Sequence, residues 1–401
     1  MDEVLGRIIE LLVVAMLVAI VARRCRLPYT IGLVITGAGL ALLKVDAALT
    51  LTPGLIYLCI LPPLLFEAAV NIHWRELRRD LIPVLALTVA GVVISAGVVA
   101  AAMVSGPGWP VKSALVFGVL IAATDPVAVI AMFKDNGLGG RLRLLVESES
   151  LFNDGVAAVL FGLVLLWAEG RAFTLPDAVQ ALGWSAGGGF AIGLLCGAAA
   201  LLVAGRSTDH LVETAISAAA AYGSFLLAER LRASGVLATV AAGLLMGNLT
   251  TAGGKRGRWL SERGAAFLVE FWDFAAFIAN SLIFLLIGLA LASLSFAEAG
   301  VPTLAIAIAS VLAGRLVAVY PVCLLFHRSA RAISLGQQHV LWWGGLRGAL
   351  GLALALSLPR SLPLRDQIVV ATFSVAAFSI LVQGLTMPYL LKALGFLPAS
   401  R

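Results

Sequence analysis

Long apolar runs, separated by short polar segments, repeat along the whole chain. Because about 20 apolar residues in a helix cross the hydrocarbon core of a bilayer, these runs are long enough to be membrane spans. They predict thirteen spans, at roughly residues 4–22, 28–44, 52–71, 81–104, 111–133, 144–168, 176–204, 209–229, 232–248, 265–292, 300–326, 338–358 and 365–393. The sequence lacks the long polar/apolar alternation of membrane β-barrels, so the pattern favours a helical bundle.

The composition supports the same class of protein. Of the 401 residues, 61% are hydrophobic and 12% are charged, whereas a soluble domain carries about 25% charged residues. The four cysteines and four histidines show no CxxC or Cys/His spacing, so the sequence indicates neither a disulfide framework nor a metal cluster. We therefore predict an all-α polytopic membrane protein without a sizeable soluble domain.

Basic residues are distributed unevenly between the two ends of the predicted spans. With an external N-terminus, eighteen Lys and Arg residues fall in segments on the inner side and eight on the outer side. Basic residues accumulate on the cytoplasmic side of helical membrane proteins. We therefore expect the N-terminus outside and the C-terminus in the cytoplasm.

Two of the predicted spans contain signals that interrupt a helix. The fifth contains Thr124-Asp125-Pro126, and the twelfth contains four glycines within Trp343-Gly-Gly-Leu-Arg-Gly-Ala-Leu-Gly351. Proline removes a backbone donor and clashes with the preceding turn. Glycines in membrane helices also serve close packing. Two broken helices that run in opposite directions are nevertheless the best sequence indication of a secondary transporter's binding site.

Ionisable side chains inside the spans indicate what would be carried. Charge at the centre of a membrane helix costs at least about 2.5–3.5 kcal/mol, so it usually marks a transport path. The acids outnumber the bases by two, which suits a cation or proton carrier better than an anion carrier. The six residues are Glu67, Asp125, Glu149, Asp154, Arg315 and Arg347.

The stretch Glu147-Ser-Glu-Ser-Leu-Phe-Asn-Asp154 concentrates these groups at the start of the sixth span. At about 100° per residue, Asp154, Ser150 and Glu147 share one helix face. Hard cations prefer carboxylate, hydroxyl and carbonyl oxygens. We therefore predict a Na⁺ site formed by Asp154, Ser150 and Thr124, in which Asp154 holds either a proton or a cation but not both.

Several of the other polar residues admit a structural interpretation beside the functional one. Asp125 is interpreted either as a residue of the path or as a cap of the half-helix broken at Pro126, and a capping role does not exclude a role on the path. Arg347 is expected to neutralise the carbonyl ends of a half-helix. Glu67 is either a second acid on the path or a partner of Asn153. Glu149 and Arg315 are expected to form a structural ion pair.

Together, five short motifs resemble those of the monovalent cation/proton antiporters, a family that includes bacterial sodium/proton antiporters and animal sodium/hydrogen exchangers. The resemblance covers nearly the whole chain, in order. The motifs are Leu61-Pro-Pro-Leu-Leu-Phe-Glu-Ala68, Thr124-Asp-Pro-Val-Ala128, Glu149-Ser-Leu-Phe-Asn-Asp154, Asn280-Ser-Leu-Ile-Phe-Leu-Leu-Ile-Gly288 and Gly344-Gly-Leu-Arg-Gly-Ala349.

The resemblance implies about 13 transmembrane helices in two inverted repeats, with crossed discontinuous helices in a core domain beside a dimerisation domain. The core would comprise residues 76–170 (helices 4–6) and 296–401 (helices 11–13). The dimerisation domain would comprise residues 1–75 (helices 1–3) and 209–295 (helices 8–10), joined to the core by a linker helix 7 at 171–208. The core is expected to move like an elevator against a homodimeric scaffold.

The resemblance also implies roles for individual residues. Asp154 resembles the carboxylate that binds the ion and the proton, and its expected neighbours in the site are Asn153, Asp125, Thr124 and Ser150. The expected supporting residues are the Glu149–Arg315 pair, Glu67 in contact with Asn153, and Arg347. The pair Asn153-Asp154 resembles the electroneutral branch of the family, which moves one cation for one proton.

We therefore expect an electroneutral Na⁺(Li⁺)/H⁺ antiporter that serves pH homeostasis in the cytoplasmic membrane of a prokaryote. A potassium/proton antiporter of the same fold and a cation channel are the alternatives. Enzymatic activity is not expected, because the acids lack the helper groups that an intramembrane hydrolase needs. No cofactor and no nucleic-acid partner are expected, and the sequence ends at Arg401 without an apparent regulatory C-terminal domain.

Overall fold

The computed structural model describes residues 2–25, 28–43, 51–172, 174–251, 259–294, 296 and 299–397. In these residues the chain forms seventeen α-helices. In chain order, α1 to α17 are Asp2–Cys25, Tyr29–Leu42, Leu61–Asn71, Trp74–Ser105, Val111–Leu120, Val127–Asp135, Arg141–Ala168, Leu175–Gly183, Gly189–Ala204, His210–Arg230, Gly235–Thr251, Glu262–Ser293, Val301–Leu324, Leu335–Trp343, Ala349–Leu356, Arg365–Phe378 and Gly384–Ala393. The described residues also include π-helical segments at Leu55–Ile60, Trp184–Gly188 and Ser379–Gln383.

The prediction of an all-helical membrane protein is confirmed. Each predicted span coincides with one helix or with a run of consecutive helices. Seven helical stretches of the described chain are long and apolar enough to cross a membrane, and the other predicted spans coincide with shorter or interrupted helices. The count of thirteen crossings, the inverted repeats and the orientation of the termini remain predictions. Several residues of the charge count lie outside the described residues: Arg26, Lys44, Lys255, Arg256, Arg258 and Arg401.

Both predicted interruptions are present. α5 ends at Leu120 and α6 begins at Val127, while α14 ends at Trp343 and α15 begins at Ala349. The unwound segments contact each other, because the Asp125 backbone N–H donates to the Leu346 carbonyl over 2.8 Å. This bond satisfies two of the backbone groups that a broken helix exposes, as the membrane interior requires.

The helices pack in two sets whose boundary runs beside the broken helices. α4 packs along α13 and also against α5 and α7. In the other set α12 packs along α2, and α11 packs against α3 and α9.

The close crossing of α2 and α12 in the second set depends on two glycines. A Cβ built on Gly37 of α2 would lie 2.1 Å from the Leu285 carbonyl oxygen, and one on Gly288 of α12 would lie 2.2 Å from the Val34 carbonyl oxygen. No side chain separates the two backbones at this point, so only glycine fits at either position.

Candidate functional site

Thr124 lies at the centre of the polar cluster that the sequence predicted. Its hydroxyl donates to Ser150 Oγ over 3.2 Å and accepts from Asn153 Nδ2 over 3.2 Å. The Ser150 hydroxyl in turn donates to the Thr124 carbonyl oxygen. The unwound segment after α5 allows these contacts, because it turns the Thr124 carbonyl towards α7 instead of into a helical bond. All three side chains are buried, with about 2% of each exposed.

Asp154 lies one turn further along α7 than Ser150. Its carboxylate accepts a hydrogen bond from the Thr124 backbone N–H. Its Oδ1 atom is buried and has no hydrogen-bond partner among the described residues. A buried carboxylate oxygen without a partner is costly, and a bound proton or cation would remove that cost.

Asp125 bridges the starts of two half-helices. Its Oδ1 accepts from the Val127 N–H, at the first turn of α6, over 2.9 Å, and its carboxylate also accepts from the Ala349 N–H at the start of α15. A helix N-terminus carries a partial positive charge, so both half-helices favour an anion here. A Cβ on Gly348 would lie 1.9 Å from Asp125 Oδ2. The carboxylate therefore caps both helices, as one of the two interpretations expected.

Arg347 compensates the opposite end of the first broken helix. Its guanidinium NH1 donates to the carbonyl oxygens of Ala122 and Ala123 over 2.9 and 3.0 Å. The Arg347 backbone N–H is held by Ser379 Oγ over 3.0 Å. A cation at the carbonyl end of a half-helix offsets its partial negative charge. Arg347 thus makes the contacts expected of a residue that neutralises carbonyl ends.

Glu149 and Arg315 form a bidentate pair between α7 and α13. Each carboxylate oxygen of Glu149 lies 2.7 Å from a guanidinium nitrogen of Arg315. Arg315 also donates to the Leu341 carbonyl oxygen, over 3.1 Å from NH2. Both side chains are almost fully buried. Asn153 Nδ2 lies 3.4 Å from Glu149 Oε1, which links this pair to the cluster around Thr124.

The structure does not bring Glu67 to Asn153, so that expected contact is wrong for this arrangement. Glu67 Oε1 instead accepts from Asn71 Nδ2 over 2.9 Å and lies 3.8 Å from Lys134 Nζ. Among the described residues, the Asn153 amide nitrogen bonds only Thr124 in the unwound segment and Glu149 on α7. Glu67 points into the cavity described next, as the alternative interpretation of a second acid on the path expected.

A cavity of about 960 Å³ connects Asp154 to one end of the bundle. It is lined by the carboxylates of Asp125, Asp154, Glu147, Glu67 and Asp273. It extends along α6 and α17 as far as Lys134, Lys392 and Leu397. By the predicted orientation this end is cytoplasmic, and Asp154, Ser150 and Glu147 line the cavity from one helix face, as the spacing predicted.

Sequence reasoning missed Lys134, Asp273 and Ser379. In the count of basic residues, Lys134 was placed in a segment that connects two spans. Its ammonium group lies 3.7 Å from Asp273 Oδ1 and also near Glu67. Lys134 follows Val127 by seven residues, which is two helical turns, so both lie on one face of α6. That spacing was a usable signal, since Val127 also lines the cavity. The contact of Ser379 with Arg347 had no signal in the sequence.

The chain is similar to known proteins over nearly its whole length. The sequence model of the family described as sodium/hydrogen exchanger, transmembrane, matches residues 12–393. The Na⁺/H⁺ antiporter ApNhaP of Aphanothece halophytica is 40% identical over 374 residues, which cover 93% of this chain and 70% of that protein. The Na⁺/H⁺ antiporter NhaH of Halobacillus dabanensis is 35% identical over 409 residues, which cover 98% of this chain and 99% of that protein.

A solved structure has the same fold. The sodium proton antiporter MjNhaP1 from Methanocaldococcus jannaschii at pH 8 superposes with a TM-score of 0.79. The superposition covers 98% of this chain and 99% of that one, at 21% sequence identity.

Proposed function

Because the chain belongs to the sodium/hydrogen exchanger family, we propose that it exchanges sodium or lithium ions for protons across the membrane. The observation that carries the proposal is the buried, unpartnered Oδ1 of Asp154, which belongs to a carboxylate that lines the cavity. The similar proteins from Aphanothece halophytica and Halobacillus dabanensis are named sodium/proton antiporters, which favours sodium over potassium. The proposal is one of ion transport, with no cofactor and no catalysed reaction.

Asp154 is the group for which the two ions compete. A proton on Asp154 removes its charge, and a cation beside it offsets that charge, so one carboxylate accommodates one of them at a time. Ser150 and Thr124 line the same cavity as Asp154, and the Ser150 hydroxyl bonds the hydroxyl and the carbonyl oxygen of Thr124. These are oxygen ligands of the kind that hard cations take. Asn153 holds Thr124 in place from the other side.

The charges around the site support an exchange of one cation for one proton. Glu149 and Arg315 neutralise each other through their bidentate pair. Arg347 and Asp125, each fixed at an end of a broken helix, carry opposite charges that sum to zero. Asp154 is then the one member of this set of five residues whose charge is not offset by another member. Because it binds either one proton or one monovalent cation, exchanging the two transfers no net charge.

The helix packing supports an elevator-like movement between the two sets of helices. The site residues lie on α7, on α13 and in the two unwound segments, and α5, α7 and α13 all pack against α4. We assign the core to residues 76–170 and 296–401, the homodimeric scaffold to 1–75 and 209–295, and the linker to 171–208. The homologues from bacteria support placement in the cytoplasmic membrane of a prokaryote, with the N-terminus outside and the cavity facing the cytoplasm.

The test is ion exchange in proteoliposomes under an imposed pH gradient. Na⁺, Li⁺ and K⁺ are added in turn to the protein, to Asp154→Asn and to Asp366→Asn. Asp366 is a matched control, because its side chain is 73% exposed and lies outside the cavity. We expect Na⁺ or Li⁺ to dissipate the gradient, Asp154→Asn to abolish the response at unchanged folding, and the control to retain it.

Each other outcome removes a defined part of the proposal. A response to K⁺ alone would replace sodium by potassium, and conduction of Na⁺ without proton movement would indicate a channel. Exchange that Asp154→Asn retains would remove Asp154 from the mechanism. A rate that depends on an imposed membrane potential would exclude the one-for-one stoichiometry.

A further inference from the structure

Lys134 occupies the mouth of the cavity and bridges two helices of the other set. Its Nζ lies 3.8 Å from Glu67 Oε1 on α3 and 3.7 Å from Asp273 Oδ1 on α12. Lys134 itself belongs to α6, the half-helix that begins beside Asp125. Lys134 follows Val127, the first residue of α6, by seven residues, so its backbone lies about 10 Å along the helix from the start of α6. The bridge therefore connects the ion-binding half-helix directly to α3 and α12.

The bridge is much looser than the charge pairs inside the core set. Arg141 on α7 binds Asp80 on α4 at 2.7 Å and also donates to the Ala332 carbonyl. Glu149 and Arg315 are equally tight, at 2.7 Å. In contrast, the side chains of Lys134 and Asp273 are 45% and 47% exposed. Glu67 is the more buried partner, with 18% of its side chain exposed. The exposed Lys134–Asp273 pair contributes only about 0–1 kcal/mol, so this bridge opens more easily than the other pairs.

We propose that Lys134 is a positioning residue for ion exchange, a tethered cation that holds α6 against α3 and α12 until an incoming cation displaces it. The inference rests on the proposed function. A monovalent cation that enters the cavity passes Glu67 and Asp273, where it competes with the ammonium group for the same carboxylates. Occupation of these carboxylates by the cation releases α6, which links ion entry to movement of the core.

The test measures exchange in everted membrane vesicles, in which the cytoplasmic face is accessible to added Na⁺. Lys134→Gln removes the competitor, so the apparent KM for Na⁺ should fall about two- to fivefold, as expected for exposed ion pairs. Lys134→Arg retains the charge and should keep the KM of the unmodified protein. Lys392→Gln is the matched control, because Lys392 lines the same cavity and forms no ion pair with another described residue.

A double-mutant cycle tests whether Lys134 acts through its ion pair with Asp273 or only through the overall charge of the cavity. In an Asp273→Asn background the ammonium group has lost one partner, so Lys134→Gln should change the KM by a clearly smaller factor than in the unmodified protein. A smaller effect of Lys392→Gln than of Lys134→Gln, together with this non-additivity, supports the bridge.

Equal effects of the two lysine variants, or effects of Lys134→Gln and Asp273→Asn that simply multiply, would overturn the inference. So would an unchanged KM in a folded Lys134→Gln protein. Each of these results requires that the unmodified protein exchanges ions. Failure of the bridge is therefore distinguishable from failure of the proposed function, in which the unmodified protein itself shows no exchange.

Discussion

Replacing Arg315 with alanine leaves the Glu149 carboxylate buried without its partner. Both carboxylate oxygens lose a guanidinium contact of 2.7 Å, and the Leu341 carbonyl loses a donor. Glu149 is only about 2% exposed, so water cannot take over these contacts. Asn153 would remain the one described side chain that bonds Glu149, over 3.4 Å.

The size of the expected loss in stability follows from the burial of the Glu149–Arg315 pair. Breaking a buried pair by removing one partner costs about 3–5 kcal/mol, whereas replacing both partners by apolar residues of similar volume is often close to neutral. We therefore expect Arg315→Ala to lower the free energy of unfolding by about 3–5 kcal/mol. The double variant Glu149→Leu/Arg315→Met should recover most of that loss, because no unpaired charge is left.

The assay is equilibrium unfolding in mild detergent, with helix content followed by circular dichroism. Asp366→Ala is the matched control, because it breaks a pair with Arg365 of the same 2.7 Å length and its own side chain is 73% exposed. That control should cost at most about 1 kcal/mol. An Arg315→Ala protein as stable as the control, or a double variant less stable than the single one, would refute the reasoning that burial makes the pair essential.

Two further predictions concern the neighbours of Asp154. Gly348→Ala places a Cβ 1.9 Å from Asp125 Oδ2 and should cost about 1–3 kcal/mol of stability and lower the exchange rate. Gly97→Ala, with open space around the new Cβ, should be neutral, and equal stability of the two variants would contradict the contact. Asn153→Asp adds a carboxylate beside Glu149 and should make exchange sensitive to an imposed membrane potential. Potential-independent exchange by this variant in proteoliposomes would mean that the added group carries no charge during transport.

The spans and both helix interruptions could be predicted from local features of the sequence. Run length defines a membrane helix, and Pro126 and the glycines between Trp343 and Gly351 disfavour regular helix where the structure is unwound. The face shared by Asp154, Ser150 and Glu147 also follows from spacing within one helix. These signals are local, so they need no knowledge of how the helices pack.

Contacts between helices could be predicted only where a charged residue in an apolar span needed an opposite charge nearby. Arg315 was an obvious candidate for Glu149, because both lie in otherwise apolar spans. Glu67 had several possible partners, and spacing within α3 could not choose between Asn153 and a group on α6. The bridge from Lys134 to Asp273 depends on the packing of α6 against another set of helices, so the sequence contained no sign of it.

The crossing of α2 and α12 at Gly37 and Gly288 has a mechanical consequence. Sliding one helix along the other by a turn, about 5.4 Å, would push a side-chain carbon into a carbonyl oxygen, since the backbones already touch. Because they pack this closely, the two helices resist sliding past each other and move as one rigid pair. Other helices can then slide only at interfaces where flexible side chains separate the backbones. The α2–α12 pair stays fixed while they move.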